Sequence, residues 1–347
     1  MATGIISTGT FLLGPSWLSV ALLAAASAGQ LVLAAALAAR LAFFRSNVAA
    51  DIQAPERVFG FFTITAGLDV LGVRLTLAGH PLTTAILAAL AAAVWLVLTY
   101  GVPASLLLTR ARDSVLGAVN GSWLLWIVAT QSLSIAAAIL VPAWPSQSAL
   151  LAPVAAGLWC VGLLLYVMVV ALILLRWLTV PMTPATLGPP YWILMGATAI
   201  SVLAGAQDLA LPAGIPVVRA TAGFVEGFSF ALWAFGTWWI PLLIILGLWR
   251  HVRRHWPLSY EPTLWSVVFP LGMYSVATLT FGKAAHLAFM EPLARFMLWV
   301  AVAAWALVAA AFLARLARRP HEPASGSPAP SSGTEPIHEM TTEKKLP

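Results

Sequence analysis

Long apolar segments separated by short polar loops run along most of this 347-residue chain. A helix needs about 20 apolar residues to cross the hydrocarbon core of a bilayer, and most segments reach that length with few interior charges. They show no sustained alternation of apolar and polar positions, which argues against a membrane β-barrel. The pattern predicts an all-α polytopic membrane protein with ten transmembrane segments: 1–13, 17–44, 58–78, 82–108, 122–141, 150–177, 191–211, 220–249, 264–288 and 292–314.

The first segment is shorter than the others. About 13 helical residues rise only about 20 Å, whereas the hydrocarbon core is about 30 Å thick. We therefore expect a truncated first helix, with Met1 a misassigned start and about ten further apolar residues preceding it in the native protein. A cleaved signal peptide is the alternative, although no basic region precedes the apolar run and no cleavage site is evident.

The basic residues predict the orientation. When the loops are assigned alternately to the two sides, fourteen of the 18 Lys and Arg residues fall on one side. The other side receives Arg74, Arg219, Lys283 and Arg295. Since the side rich in Lys and Arg is normally cytoplasmic, both termini are predicted inside the cell, with the protein in the plasma (inner) membrane. The net charge of +6 then reflects topology and anionic lipid headgroups rather than nucleic-acid binding.

Composition divides the chain in two. Overall, 61% of residues are hydrophobic and 9% are charged, values that a soluble domain does not reach. Residues 1–316 are predicted to form the transmembrane domain. The remainder, 317–347, turns to Pro, Ser, Gly, Glu and Lys, which predicts a disordered cytoplasmic tail. Cys160 is the single cysteine, so no intrachain disulfide is possible, and a small packing residue is expected there.

Several chemistries are disfavoured. The pair Gly282–Lys283 lacks the upstream glycine and the following Ser or Thr of a phosphate-binding loop. His251 and His255 have the spacing of one helical face, but the neighbouring arginines oppose a metal cation. No serine has a histidine and an acid at helical spacing. We therefore predict no catalytic residues, no metal and no cofactor.

Three stretches carry a family resemblance: residues 1–7 (MATGIIS), 120–124 (NGSWL) and 260–273 (YEPTLWSVVFPLGM). They resemble the tellurite-resistance and C4-dicarboxylate transporter family. That family includes plant slow anion channels, bacterial tellurite-resistance proteins, fungal sulfite exporters and malate permeases. The resemblance extends to about Arg319, and Ala2 stands where the family usually has glycine.

The resemblance implies ten helices in five hairpins, in which the odd-numbered helices surround a pore and the even-numbered helices form an outer layer. It also implies homotrimers in which each subunit has its own pore. The odd segments carry helix-breaking or small residues, at which freed amide groups could face an anion: Gly4, Gly9, Gly67, Gly72, Gly121, Gly196, Gly205, Pro270 and Gly272. In the eighth segment, Gly223 and Gly227 have a spacing that favours helix packing, with subunit contact as the alternative.

By the same resemblance, Phe269 lies across the middle of the pore as its gate, and Pro270 bends the helix inward. A ring at that point closes a narrow apolar pore sterically and by dewetting. Further candidates for the pore lining are Gly4, Thr63, Thr65, Gly67, Gln131, Ser132, Gly196 and Thr278. The hydroxyl and amide groups among them could equally bond to their own helix backbone.

Ionisable residues inside membrane segments are functional candidates, although pairing or snorkelling is expected for each of them. Here they are Asp69, Arg74, Asp208, Glu226 and Lys283. Arg74 or Lys283 could attract anions toward the outer mouth, and Asp69 or Asp208 could couple transport to protons.

The sequence therefore favours transport of small inorganic or organic anions through a phenylalanine-gated pore. A proton-coupled C4-dicarboxylate (malate) carrier or a sulfite exporter is the alternative within transport. A membrane-embedded enzyme or a sensor without flux is the alternative from another class.

Overall fold

The computed structural model describes residues 1–108 and 115–317. In these ranges the chain folds into α-helices joined by short turns and loops. The helices are α1 (Ala2–Leu13), α2 (Ser16–Phe43), α3 (Arg45–Gln53), α4 (Phe62–Thr76), α5 (Pro81–Leu108), α6 (Leu125–Leu140), α7 (Ser148–Thr179), α8 (Ile193–Leu209), α9 (Pro216–Leu248), α10 (Trp265–Ala284) and α11 (Met290–Ala317).

Within the described residues, nine helical spans are long and apolar enough to cross a membrane, and α1 is a shorter apolar helix. The prediction of an all-α polytopic membrane protein is confirmed, whereas the predicted number of ten spans is not. The structure also contains α3, a short helix between the second and third predicted segments that the hydrophobic pattern did not reveal.

The helices form two layers. In the most apolar stretch of α4, α6, α8 and α10, between 56% and 89% of the residues are buried, against 6% to 39% in α2, α5, α7, α9 and α11. Residues Gly4 to Thr10 of α1 are also buried. We call α1, α4, α6, α8 and α10 the inner helices. Each packs against the outer helix that follows it, α3 aside, as the family resemblance implied.

Four of the inner helices are preceded by a 3₁₀ turn: Val58–Phe61, Gly121–Leu124, Pro189–Trp192 and Pro262–Leu264. Proline suits the first positions of such a turn because its missing N–H would have no partner there. At the start of the second turn, the Asn120 side chain accepts a hydrogen bond from the Ser122 N–H at 2.8 Å. These turns lie at the end of the bundle that also holds Arg40, Arg57, Arg176 and Arg250, which we call the basic end.

The helices α4, α8 and α10 continue through their glycines and, in α10, through Pro270. The glycines instead allow inner helices to approach closely. A Cβ on Gly196 would lie 2.7 Å from Cγ of Pro270, and one on Gly272 would lie 2.7 Å from Cδ1 of Ile6. The small residues therefore serve packing.

Three further expectations need correction. Nothing lies within 4 Å of a Cβ placed on Gly223 or Gly227, so these glycines do not pack α9 within the chain. Cys160 is exposed on α7 rather than packed in the interior. The helical turn around His251 ends at Arg253 and His255 has a φ of 51°, so the two histidines do not share a helical face. The predicted tail, apart from Ala317 at the end of α11, lies outside the described residues.

Candidate functional site

All five inner helices line one central cavity of about 390 Å³. Its wall is mostly aliphatic. Each inner helix contributes at least one aliphatic side chain, for example Leu12, Val73, Ile135, Leu203 and Val276. The lining reaches the last turn of α1, α4 and α10, so the cavity opens at the end of the bundle opposite the basic end.

Few polar groups interrupt this apolar wall. Asp69 on α4 is only 1% exposed. One of its carboxylate oxygens accepts a hydrogen bond from the Ser132 hydroxyl at 2.7 Å, whereas Oδ1 has no hydrogen-bond partner among the described residues. Lys283 in the last turn of α10 is exposed where the cavity opens. The cavity therefore contains a cation at its mouth and a carboxylic acid in its wall.

One face of α10 runs along the axis of the cavity. Met273, Val276, Thr280 and Lys283 all line the cavity at helical spacing. Phe269 continues the same face one turn nearer the basic end, where it is 1% exposed and belongs to the hydrophobic core. The first α10 residue that lines the cavity, Met273, thus lies one turn beyond Phe269.

Several close contacts between inner helices lie near that level. Gly196 contacts Pro270, the residue after Phe269, and Gly272 contacts α1. A Cβ on Gly4 would lie 3.1 Å from Cγ1 of Val70, so α1 also approaches α4 closely there. Inner helices are therefore in close contact at Pro270, next to Phe269, and beside the first lining residues of the cavity.

The sequence matches the profile of the SLAC1 family, described as voltage-dependent anion channel, over residues 1–313. This chain belongs to the voltage-dependent anion channel family. It is 50% identical over 153 residues to a protein of Mycobacterium tuberculosis described as an uncharacterised membrane protein, a match that covers 44% of this chain and 77% of that protein. It is 23% identical over 272 residues to an uncharacterised transporter of Methanocaldococcus jannaschii, covering 77% and 76% of the two chains.

A second transporter of the same archaeon is 26% identical over 173 residues, covering 49% of this chain and 48% of its own. Together with the helical spans, these matches make the chain a multi-pass membrane protein of an anion-channel family. The voltage-dependent anion channel family is one of channels and transporters rather than enzymes, and its substrates are anions.

In this member of the voltage-dependent anion channel family, the cavity brings together some of the sequence candidates. Ser132, Asp69 and Lys283 line it, and Phe269 lies on its axial face. Gly4 and Gly196 lie at contacts between inner helices, with Val70 and Pro270 respectively. Pro270 follows Phe269 within a continuous helix, where it contacts Gly196.

Other candidates point away from the cavity. The Gln131 amide donates to the Trp159 carbonyl on α7 at 3.1 Å, and the Thr278 hydroxyl accepts from Trp233 on α9 at 3.0 Å. Gly67 faces Gln30 on α2, and Thr65 reaches toward α5. Thr63 is exposed and donates to the Gly60 carbonyl in a groove outside the inner ring. The contacts of Gln131, Thr278, Gly67 and Thr65 therefore join inner helices to outer ones, whereas the contact of Thr63 is local.

The charged candidates Arg74 and Asp208 also lie outside the cavity. Buried Arg74 donates to the hydroxyls of Ser7 and Ser19, at 3.2 Å and 2.9 Å, and lies over the Phe11 ring. It therefore joins α4 to α1 and α2. Asp208 faces a small void between α7, α8 and α9, and neither of its carboxylate oxygens has a partner among the described residues.

Sequence reasoning missed most of the actual lining, including Thr8, Gln207 and Thr280. The sequence contains one partial indication of the lining. Phe269, Met273, Val276 and Thr280 repeat at the spacing of one helix face. On helices that are apolar on all sides, that spacing does not indicate which face is the inner one.

Proposed function

We propose that this chain conducts small anions through the central cavity and that the Phe269 side chain closes the path at its narrow end. The observation that carries the proposal is the position of Phe269 on the α10 face that lines the cavity, one turn before the open space begins. A buried aromatic ring in an apolar constriction excludes both ions and water, so it must move before the pore conducts.

Electrostatics support anions as the permeating species. The inner helices end at the mouth of the cavity, and helix C-termini carry partial negative charge that opposes anion entry. Lys283 lies in the last turn of α10 at that mouth and offsets this charge. At the other end, the inner helices begin, so their N-terminal partial positive charge and the nearby arginines favour anions.

Assembly and orientation are part of the proposal. The cavity is formed by one chain, which supports one pore in each subunit; the homotrimer rests on the family resemblance. The excess of Lys and Arg supports a cytoplasmic basic end, with both termini inside the cell. Many large apolar side chains are exposed on the outer helices, as expected for surfaces covered by lipid or by neighbouring subunits.

Obstructing the cavity tests whether it is the conduction path. Thr280 is partly exposed in the wall, so a tryptophan at this position would fill open space near the mouth. We expect Thr280→Trp to reduce anion flux into proteoliposomes severalfold with chloride, nitrate, sulfite or malate. Leu307→Trp is the matched control, because Leu307 is 72% exposed on the outer helix α11. Equal flux in the wild type and the Thr280→Trp variant would contradict conduction through this cavity.

The position of Asp69 favours proton-coupled transport as a second candidate function. An ionised carboxylate about 5 Å from a passing anion would oppose it by about 3 kcal/mol at an effective dielectric constant near 20. A proton on the carboxylate removes that repulsion, and the Oδ1 atom of Asp69 has no competing hydrogen bond among the described residues. A carrier could therefore load a proton on Asp69 together with each anion.

A pH gradient distinguishes this carrier from a channel. In the carrier, an inward proton gradient at zero voltage drives anion uptake, and Asp69→Asn should abolish that uptake while anion exchange continues. Asp208→Asn is the matched control, because Asp208 is also a buried carboxylate, 5% exposed, and lies outside the cavity. If a proton gradient drives no uptake in the wild type, the channel remains and the carrier is excluded.

A further inference from the structure

A groove on the outside of the bundle separates α2 from α4 near the basic end. The two helices touch at Gln30, whose Oε1 lies 3.1 Å from where a Cβ of Gly67 would be. From there toward the basic end they leave a space of about 480 Å³. Its long walls are largely apolar, with Leu33 and Leu37 on α2 and Ile64 on α4.

Charged residues close the groove at the basic end. Asp51 on α3 is nearly buried; one carboxylate oxygen accepts a hydrogen bond from Arg40, and the other forms an ion pair with Arg57 at an N–O distance of 2.7 Å. The side chains of Arg40 and Arg57 are nevertheless 45% and 65% exposed. Each guanidinium carries five N–H donors and uses a single nitrogen on Asp51, so donors remain for a ligand.

The three charges leave the cluster with a net charge of +1, which matches the single negative charge of a phosphodiester. Guanidinium groups are well suited to phosphate because their planar donors can bind two of its oxygens. Gln30 and Arg40 are ten residues apart on one helix, so the apolar part of the groove is about 15 Å long. That length is about half the hydrocarbon thickness, or one leaflet.

We propose that this groove binds one anionic phospholipid, with its phosphate on Arg40 and Arg57 and an acyl chain along Leu33, Leu37 and Ile64. The proposed ligand must match both the arginine cluster and the apolar groove. A free phosphate would leave the apolar groove empty, and a zwitterionic lipid would lack the net negative charge that balances the cluster. The bound lipid would brace the α2–α3–α4 segment, which has few other contacts on this side because most of α2 is exposed.

The test uses the full chain in detergent, with lipid binding followed by native mass spectrometry and by thermal stability. Phosphatidylglycerol should bind at least about tenfold more tightly than phosphatidylcholine, a difference of about 1.4 kcal/mol. Arg57→Gln should remove most of this preference while keeping the Arg40–Asp51 pair. Arg45→Gln is the matched control, because Arg45 is exposed beside the site and donates to the Leu41 carbonyl.

A second variant separates the lipid from other occupants. Leu37→Trp fills the apolar part of the groove and should weaken phosphatidylglycerol binding while Arg40 and Arg57 remain. Equal binding of the two lipids, or inorganic phosphate that competes fully with phosphatidylglycerol, would overturn the proposal. So would a change of oligomeric state in Leu37→Trp without loss of lipid binding, because a second copy of the chain would then cover the groove.

Discussion

Replacing Phe269 by alanine should raise anion conductance. In the proposed pore the ring closes the conduction path, so its removal should lower the barrier by about 1.4 kcal/mol or more and increase the current at least about tenfold. The measurement is electrical recording from purified protein in planar bilayers, with chloride, nitrate, sulfite and malate supplied in turn. The order of currents would also identify the preferred anion.

The control for this prediction is Phe281→Ala. Phe281 is fully buried on the same helix but points about 120° away from the face that carries Phe269, Met273 and Val276. Both substitutions remove a buried ring, at a cost of about 3–5 kcal/mol of stability. A rise in current for both variants would point to general loosening, and an unchanged or lower current in correctly folded Phe269→Ala would contradict the gate. No anion flux in the wild type or in Phe269→Ala would favour an enzyme or a sensor.

Replacing Gly121 by alanine should severely destabilise the fold. A Cβ at this position would lie 2.2 Å from the Pro190 carbonyl oxygen and 2.5 Å from the Tyr191 backbone nitrogen. These are backbone atoms of the 3₁₀ turn before α8, so the overlap cannot be relieved by rotating a side chain. We expect a loss of about 3 kcal/mol or more, seen as a fall of roughly 10 °C in apparent melting temperature and a lower yield of monodisperse protein.

Gly101→Ala is the matched control for Gly121→Ala. Gly101 lies within α5, where nothing surrounds a Cβ within 4 Å. Since alanine favours a helix more than glycine does, this change should leave the stability equal or slightly higher. If Gly121→Ala has the same apparent melting temperature as the wild type, the two turns can move apart without loss of stability, and the prediction is wrong.

The role of Gly121 could not be predicted from the motif in which it lies. The stretch NGSWL at residues 120–124 supported the family resemblance, but the reason for its glycine lies about 70 residues away in the turn before α8. A spacing within one helix cannot disclose such a contact. The short helix α3 escaped prediction for a related reason, because its sequence, RSNVAADIQ, is largely polar and reads as a loop between two long apolar segments.

The cavity lining shows most clearly which properties cannot be predicted from the local sequence. Gln131 and Ser132 are neighbours on α6 and were equal candidates, yet Ser132 lines the cavity while Gln131 bonds to α7. Consecutive residues of a helix point about 100° apart, so only the direction of the cavity axis distinguishes them. The same holds for Lys283 and Arg74, of which Lys283 reaches the cavity mouth and Arg74 joins three helices.

By itself, the sequence determined that this chain is a helical membrane protein with an asymmetric distribution of basic residues. Whether a helix can span the bilayer depends on its own length and apolar content, which are properties of the local sequence. Only the tertiary structure decided which face of each helix borders the cavity and how closely the inner helices pack. Both properties depend on contacts between segments that are distant in the sequence. A helix that is apolar on every side has no polar face, so its sequence does not indicate which side faces the cavity.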